Sequence, residues 1–99
     1  MKNYEIISIN NALTDLINQK LTGRLKFKLY KVKSACEQAL VLISKTLEGV
    51  DDEHERMEIL EAEQDIRLDK FTMDELEALP LSMKDLGSLA SIIDFNEEL

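Results

Sequence analysis

The longest hydrophobic pattern in the chain lies in residues 24–47. Apolar residues recur there every three or four positions, the spacing that places side chains on one side of an α-helix. At 100° per residue they fall within an arc of about 100°, the width of an ordinary core-facing stripe. The pattern predicts one long amphipathic helix whose stripe consists of Leu25, Leu29, Val32, Cys36, Ala39, Leu40, Ile43 and Leu47.

The same helix carries apolar residues on its opposite side. Phe27, Tyr30 and Val41 project away from the stripe, and Leu42 flanks them. A helix that is apolar on two sides either lies between two layers of its own protein or offers the second side to a partner. Both interpretations stay open from the sequence. In the second, Phe27, Tyr30, Val41 and Leu42 are the partner-binding residues.

The segment before the long helix predicts a short extended run followed by a first helix. Residues 4–7 form the extended run, and Ser8 is a candidate N-cap for a helix that ends near Leu21. Thr22 and Gly23 then supply a turn. Because this link is so short, we expect the two helices to form an antiparallel hairpin or a sharply bent pair.

After the long helix, which Gly49 closes, the chain predicts an acidic surface helix at residues 50–64 and an extended segment at residues 65–71. Residues 65–68 are in a position to pair with residues 4–7 as a short two-stranded ribbon. Thr72 and Glu75 predict a capping box, and Pro80 ends that short helix. Ser82 caps a last helix, whose predicted apolar face is Met83, Leu86, Leu89, Ala90 and Ile93.

The predicted fold is therefore a small all-α domain at residues 1–94, built on one long central helix, with an acidic tail at residues 95–99. The chain has 99 residues, of which 44% are hydrophobic and 32% charged, a composition typical of one folded domain. Its longest apolar run, residues 39–43, is far shorter than the ~20 residues that cross a membrane. We expect a protein of the cytoplasm with no membrane contact.

The net charge of −8 is unevenly distributed. Residues 1–49 hold eight Lys or Arg and four Asp or Glu, whereas residues 50–99 hold four and sixteen. Five cations crowd the first half of the long helix, where the helix dipole makes them mildly unfavourable. The acidic half of the chain, an acidic partner or a nucleic-acid backbone are the candidates that offset them. Since the whole chain is acidic, we do not expect it to bind nucleic acid.

No set of residues in the sequence demands a catalytic, cofactor or metal site. The single thiol, Cys36, lies on the core stripe, and the single imidazole, His54, lies among carboxylates without a second histidine at ligand spacing. No glycine lies between Gly49 and Gly87, which excludes a calcium loop of the EF-hand type there. The sequence predicts a protein that acts by contact and is not an enzyme.

Several stretches of the chain resemble small proteins encoded by siphophages of Gram-positive bacteria. They are Asn11-Ala12-Leu13-x-x-Leu16, Lys20-Leu21, residues 25–31, and Leu79-x-Leu81-Ser82-x-x-x-Leu86-x-x-Leu89. Among these proteins, the chain is most similar to the lactococcal tail-assembly chaperones of the tape measure protein. The resemblance covers most of the chain and is carried by the spacing of apolar and basic residues.

The resemblance implies an all-α chaperone that shields the helix-rich tape measure protein until the tail tube polymerises around it. It also implies action in the host cytoplasm and absence from the mature virion. An apolar groove taking amphipathic helices, with Phe27, Tyr30, Val41 and Leu42 as contacts, would serve this role.

Two other functions remain open from the sequence. The acidic residues 51–77 fit an inhibitor or antitoxin-like protein that mimics nucleic acid on a basic enzyme. Alternatively, the chain is a homo-oligomer that buries the side of the long helix carrying Phe27 against a second copy.

Overall fold

The computed structural model describes residues 1–21, 23–79 and 81–94, and these form five α-helices without a β-strand. The predicted all-α fold is confirmed. The acidic tail predicted at residues 95–99, the turn residue Thr22 and the helix-ending Pro80 lie outside the described residues. In chain order the helices are α1 (Asn3–Ile17), α2 (Gly23–Leu47), α3 (Glu53–Glu61), α4 (Met73–Glu77) and α5 (Met83–Leu89), and a 3₁₀ turn at Ala90–Ile92 follows α5.

The packing of α1 along α2 forms the centre of the core. Lys33 Nζ donates to Asn10 Oδ1 at 3.5 Å. Gln64 Nε2 joins Asn3 Oδ1, at 2.8 Å, to the carbonyl oxygen of Ala39, at 3.4 Å. Because the start of α1 faces the later part of α2, the two helices run antiparallel. Of the two predicted arrangements, the hairpin is the one that forms. Its fully buried side chains include Ile6, Ile9, Leu13, Leu16, Leu29 and Cys36.

The extended run predicted at residues 4–7 is wrong, and so is its pairing with residues 65–68. These residues belong to α1, which begins at Asn3 instead of after Ser8. The backbone N–H of Lys2 donates to Glu5 Oε1 at 2.9 Å, which satisfies a donor at the start of the helix. Ile6 is fully buried at helical spacing from Ile9, so it extends the core stripe of α1 by one turn. Beside the start of α1, the described residues form an isolated bridge between Lys2 and Glu63.

The acidic helix α3 is shorter than the predicted span of residues 50–64. Gly49 closes α2 with a φ of 77°, as the sequence indicated, and Asp52 Oδ1 caps α3 by accepting from the His54 N–H at 3.2 Å. At the other end, Ala62 turns away from the helix and its carbonyl oxygen accepts from the Asn3 N–H at 2.9 Å. None of the residues of α3 is fully buried.

Residues 62–72 form neither helix nor strand apart from isolated bridges at Glu63 and Phe71, which confirms that residues 65–71 are not helical. We call residues 62–72 the extended segment. Phe71 is fully buried and fixes the end of this segment. Its N–H donates to the Ile92 carbonyl oxygen at 2.8 Å, and its carbonyl oxygen accepts from the Asp94 N–H at 2.9 Å. The segment thus links α3 to the C-terminal part of the domain while lying along the α1–α2 hairpin.

The capping predictions for the two last helices are confirmed. Thr72 Oγ1 accepts from the Glu75 N–H at 3.2 Å, Glu75 Oε1 accepts from the Thr72 N–H at 2.9 Å, and Ser82 Oγ accepts from the Asp85 N–H at 3.1 Å.

The apolar face predicted for the last helix is partly wrong. Met83 is 84% exposed and Leu86 is exposed as well, because only the C-terminal end of α5 and the 3₁₀ turn reach the core. Leu89, Ile92 and Ile93 are the residues of this region that are buried.

The thiol of Cys36 lies fully inside the α1–α2 core, as its place on the stripe predicted. Burial raises the pKa of this thiol from 9.0 to about 11; nearby Lys33 lowers the pKa and Glu37 raises it, both by less than burial does. Because the thiolate is the nucleophile, the folded protein holds this cysteine in its unreactive form.

We expect Cys36 to react with iodoacetamide at pH 8 only when the protein unfolds. The pKa of Cys36 is raised in the folded state, so folding favours the protonated thiol. This contribution to the free energy of unfolding is fully present below about pH 9 and is lost as the pH rises towards 11. The free energy of unfolding should fall over this range by more in the natural protein than in a Cys36→Ala variant, which has no thiol to ionise. Rapid stoichiometric alkylation of the folded protein would contradict the buried position.

Candidate partner-binding face

The four residues predicted to bind a partner are all exposed on α2. The exposed fractions are 70% for Phe27, 53% for Tyr30, 54% for Val41 and 58% for Leu42. No other segment of the described residues buries them, so within this part of the chain the interpretation in which α2 lies between two layers is wrong. We call the side of α2 that carries them, together with Lys26, Lys31, Ser34, Gln38 and Lys45, the outer face of α2.

A groove runs along the first half of this outer face. It has a volume of about 480 Å³, which is room for several side chains of a partner. One wall is α2, with Phe27, Tyr30, Ser34 and Gln38. The other wall is the extended segment, with Arg67, Leu68 and Asp69. We call this the aromatic groove, since its two largest exposed side chains are Phe27 and Tyr30.

Val41 and Leu42 do not line the aromatic groove. Val41 lines a hollow of about 460 Å³ with Leu40 and Lys45, and Leu42 lines one of about 210 Å³ with Ile59 and Thr46. At 1.5 Å per residue, Phe27 and Val41 lie about 21 Å apart along the helix axis. The predicted site therefore consists of two apolar contact points on one helix, separated by the polar residues Ser34 and Gln38.

Cations frame the aromatic groove. Lys31 Nζ lies 3.2 Å from Asp69 Oδ2, an ion pair that joins the two walls. Arg67 on the opposite wall is exposed, and Lys26, which does not line the groove, is exposed one helical turn before Tyr30. Within the described residues, neither of them forms an ion pair with a carboxylate. The groove is thus basic at its rim although the chain as a whole is acidic.

Lys28 fastens the end of the extended segment to α2. Its Nζ donates to the carbonyl oxygen of Lys70 at 2.7 Å and to Glu75 Oε1 at 2.8 Å, and it lies 4.9 Å from the centre of the Phe71 ring. Of the three candidates for offsetting the cations of α2, the acidic half of the chain supplies the partners of Lys28 and Lys31. Their partners, however, come from α4 and the extended segment and not from α3.

The environment of Glu75 lowers the pKa of its carboxyl group below 4.5. Partial burial acts in the opposite direction and is the largest single effect. The hydrogen bond from Lys28, the backbone N–H of Thr72, the charge of Lys28 and the Thr72 hydroxyl together outweigh it. The carboxylate form of Glu75 is therefore the one that holds α4 against α2.

The second wall of the groove was not identified from the sequence. Arg67 and Leu68 belong to a segment whose alternation predicted an extended conformation but gave no sign of which helix it would cross.

A further hollow of about 470 Å³ lies between α1 and α5, and no pattern in the sequence indicated it. It is lined by Tyr4, Ser8, Lys84 and Ser88 among others.

The described residues bring together no group of three or more His, Cys, Asp or Glu side chains that could hold a metal ion. His54 Nε2 lies 3.2 Å from Glu58 Oε1 on the exposed surface of α3. No helix formed by the described residues has both the length and the apolar character needed to cross a bilayer.

Comparisons of the chain with protein-family models, with curated proteins and with solved structures find no match. The case for a function therefore comes from the geometry of the outer face and from the residues that form it.

We expect Lys28→Met to lower the free energy of unfolding by about 1–2 kcal/mol, because it removes two charge-assisted hydrogen bonds. The pKa of Glu75 is lowered in the folded state, so its stabilising effect is present above about pH 4.5 and is lost as the pH falls further. Denaturant unfolding between pH 3 and pH 7 should show the difference between the natural protein and the variant shrinking at acid pH.

Lys26→Met is the matched control, since Lys26 is an exposed cation on the same helix. Equal destabilisation by both variants would contradict the anchoring role of Lys28.

Proposed function

We propose that this protein binds an amphipathic helix of another protein through the outer face of α2. The observation that carries the proposal is the exposure of Phe27 and Tyr30 along a groove that residues 1–21, 23–79 and 81–94 leave open. Aromatic side chains are frequent anchors of protein interfaces, and an apolar groove on a helical domain suits a helix that presents residues at i, i+3 or i+4.

The spacing of the two contact points suits a long partner helix. A helix must extend over about 21 Å, or about four turns, to touch both Phe27 and Val41. A short peptide would fill the aromatic groove only. Long helices with repeated apolar positions are therefore the partners that this face accommodates best.

Within this class, we propose the role that the sequence resemblance implies, a chaperone of the phage tape measure protein. The outer face of α2 would cover apolar stripes of the tape measure helices before the tail tube forms around them. The acidic residues elsewhere on the surface would keep the complex soluble. In this role the protein acts in the host cytoplasm and is left out of the finished virion.

The exposed carboxylates of α3 favour a second candidate, an acidic inhibitor that mimics nucleic acid. The predicted mimic extended over residues 51–77. Two of its carboxylates, Asp69 and Glu75, pair with Lys31 and Lys28 of the same chain. These two ion pairs interrupt the phosphate-like surface between α3, whose nine residues span about 13 Å, and the exposed carboxylates of α4. We therefore favour the helix-binding function.

We expect Phe27→Ser combined with Tyr30→Ser to weaken binding to a helical fragment of the tape measure protein at least about tenfold, because the aromatic anchors are lost. Both side chains are exposed, so the melting temperature should shift by less than about 3 °C. Isothermal titration calorimetry and circular dichroism measure the two effects.

Met83→Ser is the matched control, since Met83 is an exposed apolar residue of α5 at 84% exposure. Glu58→Lys with Glu61→Lys discriminates the second candidate, because that pair should leave helix binding intact but abolish binding to a basic enzyme. Loss of helix binding in the α3 variant but not in the Phe27 and Tyr30 variant would reject the proposed site.

A further inference from the structure

Helix α3 leaves most of its surface exposed. Its nine residues include none that is fully buried, and Met57 is 51% exposed. Ile59 and Leu60 are half-buried, and the carbonyl oxygen of Ile59 accepts from Asn3 Nδ2 of α1 at 2.6 Å. On the outward side, Glu61 lies one turn after Met57 and Glu58 lies beside it, both exposed. The outward surface of α3 therefore consists of the Met57 side chain flanked by the carboxylates of Glu58 and Glu61.

The outer face of α2 has the complementary chemistry. Phe27 and Tyr30 are exposed, and Lys26 and Arg67 beside them form no ion pair with a carboxylate of the described residues. A methionine sulfur packs favourably against aromatic rings, and carboxylates pair with the cations at the rim. The α3 surface therefore offers a methionine and carboxylates, and the outer face of α2 offers the aromatic rings and cations that bind them.

These two surfaces cannot meet within one chain. Ile59 of α3 shares a hollow with Leu42 and Thr46, near the end of α2. The aromatic pair lies near the start of the same helix, on the order of 20 Å away at 1.5 Å per residue. The backbone of Ala62 and the side chain of Gln64 are hydrogen-bonded to the hairpin and hold α3 in this place.

We propose that the outer face of α2 receives α3 of a second copy of this chain. Each copy carries the acceptor surface near the start of α2 and the acidic helix near its end, so a twofold arrangement of two copies forms both contacts at once. A partner helix competes for Phe27 and Tyr30 in this arrangement. Self-association therefore keeps the proposed partner site covered until a partner displaces the second copy.

A polyanion is the other ligand that a basic, aromatic surface suits. A second copy fits better, because it supplies an apolar side chain for the aromatic pair as well as carboxylates for the cations. The net charge of −8 opposes approach of a nucleic acid and also weakens self-association, so we expect the dimer to form reversibly at high concentration.

The test is a charge exchange between the two surfaces. Sedimentation velocity from about 10 µM to about 1 mM should show the natural chain passing from monomer to dimer, with association weakening as salt rises. Lys26→Glu with Arg67→Glu, and separately Glu58→Lys with Glu61→Lys, should each lower the association constant at least about tenfold. An equimolar mixture of the two variants should associate again, because in a mixed dimer both contacts pair opposite charges.

Two control variants change the net charge by the same amounts elsewhere, and neither should affect association or be rescued by mixing. Lys20→Glu with Lys84→Glu matches the α2 variant, and Asp15→Lys with Glu77→Lys matches the α3 variant, all at exposed positions. Circular dichroism confirms that each variant is folded.

A natural chain that stays monomeric at about 1 mM, or a mixture no more associated than its components, would overturn the inference. A third result would also overturn it: the charge reversals leave association unchanged, but Phe27→Ser abolishes it. The outer face of α2 would then pair with the outer face of the second copy. Retention of a single-stranded oligonucleotide by a monomeric natural chain would assign the surface to nucleic acid instead.

Self-association and partner capture are measured separately. If mixing the two charge-reversed variants does not restore association, the helix-binding function is still supported when Phe27→Ser with Tyr30→Ser abolishes partner binding. A successful exchange without any partner binding would reject the proposed function and keep the dimer.

Discussion

The apolar contact between α1 and α2 is the interaction on which the rest of the structure depends. At 1.5 Å per residue, the 25 residues of α2 span about 37 Å and the 15 residues of α1 about 22 Å. A domain of this size buries one modest core, and the buried stripe of α2, from Leu25 to Ile43, already belongs to it. The described elements that follow add to that core, and none of them crosses over to bury the outer face. The exposure of Phe27 and Tyr30 is thus a consequence of how little chain is available to cover so long a helix.

The extended segment turns this bare helix face into a groove. Phe71, buried and hydrogen-bonded to both Ile92 and Asp94, fixes the end of the segment, and Lys28 ties the same point to α2. Between there and Gln64, which is hydrogen-bonded at the hairpin, Arg67 and Leu68 stand as a wall opposite the aromatic pair. A wall held at both ends by buried or charge-assisted contacts has a defined shape before any partner arrives, which lowers the ordering cost of binding.

The fold brings some of the acidic residues of the second half of the chain against basic residues of the first half. Glu75 and Asp69 neutralise Lys28 and Lys31, so part of the acidic half stabilises the basic half. Charges that form no ion pair within the described residues include Lys26 and Arg67, on the basic surface near the start of α2, and Glu61, on the acidic surface of α3. Since these surfaces are near opposite ends of α2, they favour contacts between molecules over contacts within one. The proposed partner binding and the proposed self-association both follow from this separation, and both engage the same aromatic side chains.

Local and periodic features of the sequence determined much of the architecture. The stripe of α2, the closing role of Gly49, the caps at Thr72 and Ser82 and the absence of helix at residues 65–71 depend on neighbouring residues, so they could be predicted. Residues 4–7 were mistaken for an extended run because Tyr4 and the β-branched Ile6 and Ile7 favour strands. Burial of Ile6 against the core overrode that propensity.

The sequence also placed Phe27, Tyr30, Val41 and Leu42 off the core stripe of α2, because the angle of each residue around the helix follows from its position in the sequence. Their exposure could not be predicted in this way, because it depends on the path of residues 62–72, which are distant in sequence. Only the tertiary structure decided that Arg67 and Leu68 stand beside the aromatic pair and that Val41 and Leu42 belong to separate hollows. Helical periodicity fixes the direction in which a side chain points, but the packing of remote segments decides what it meets there.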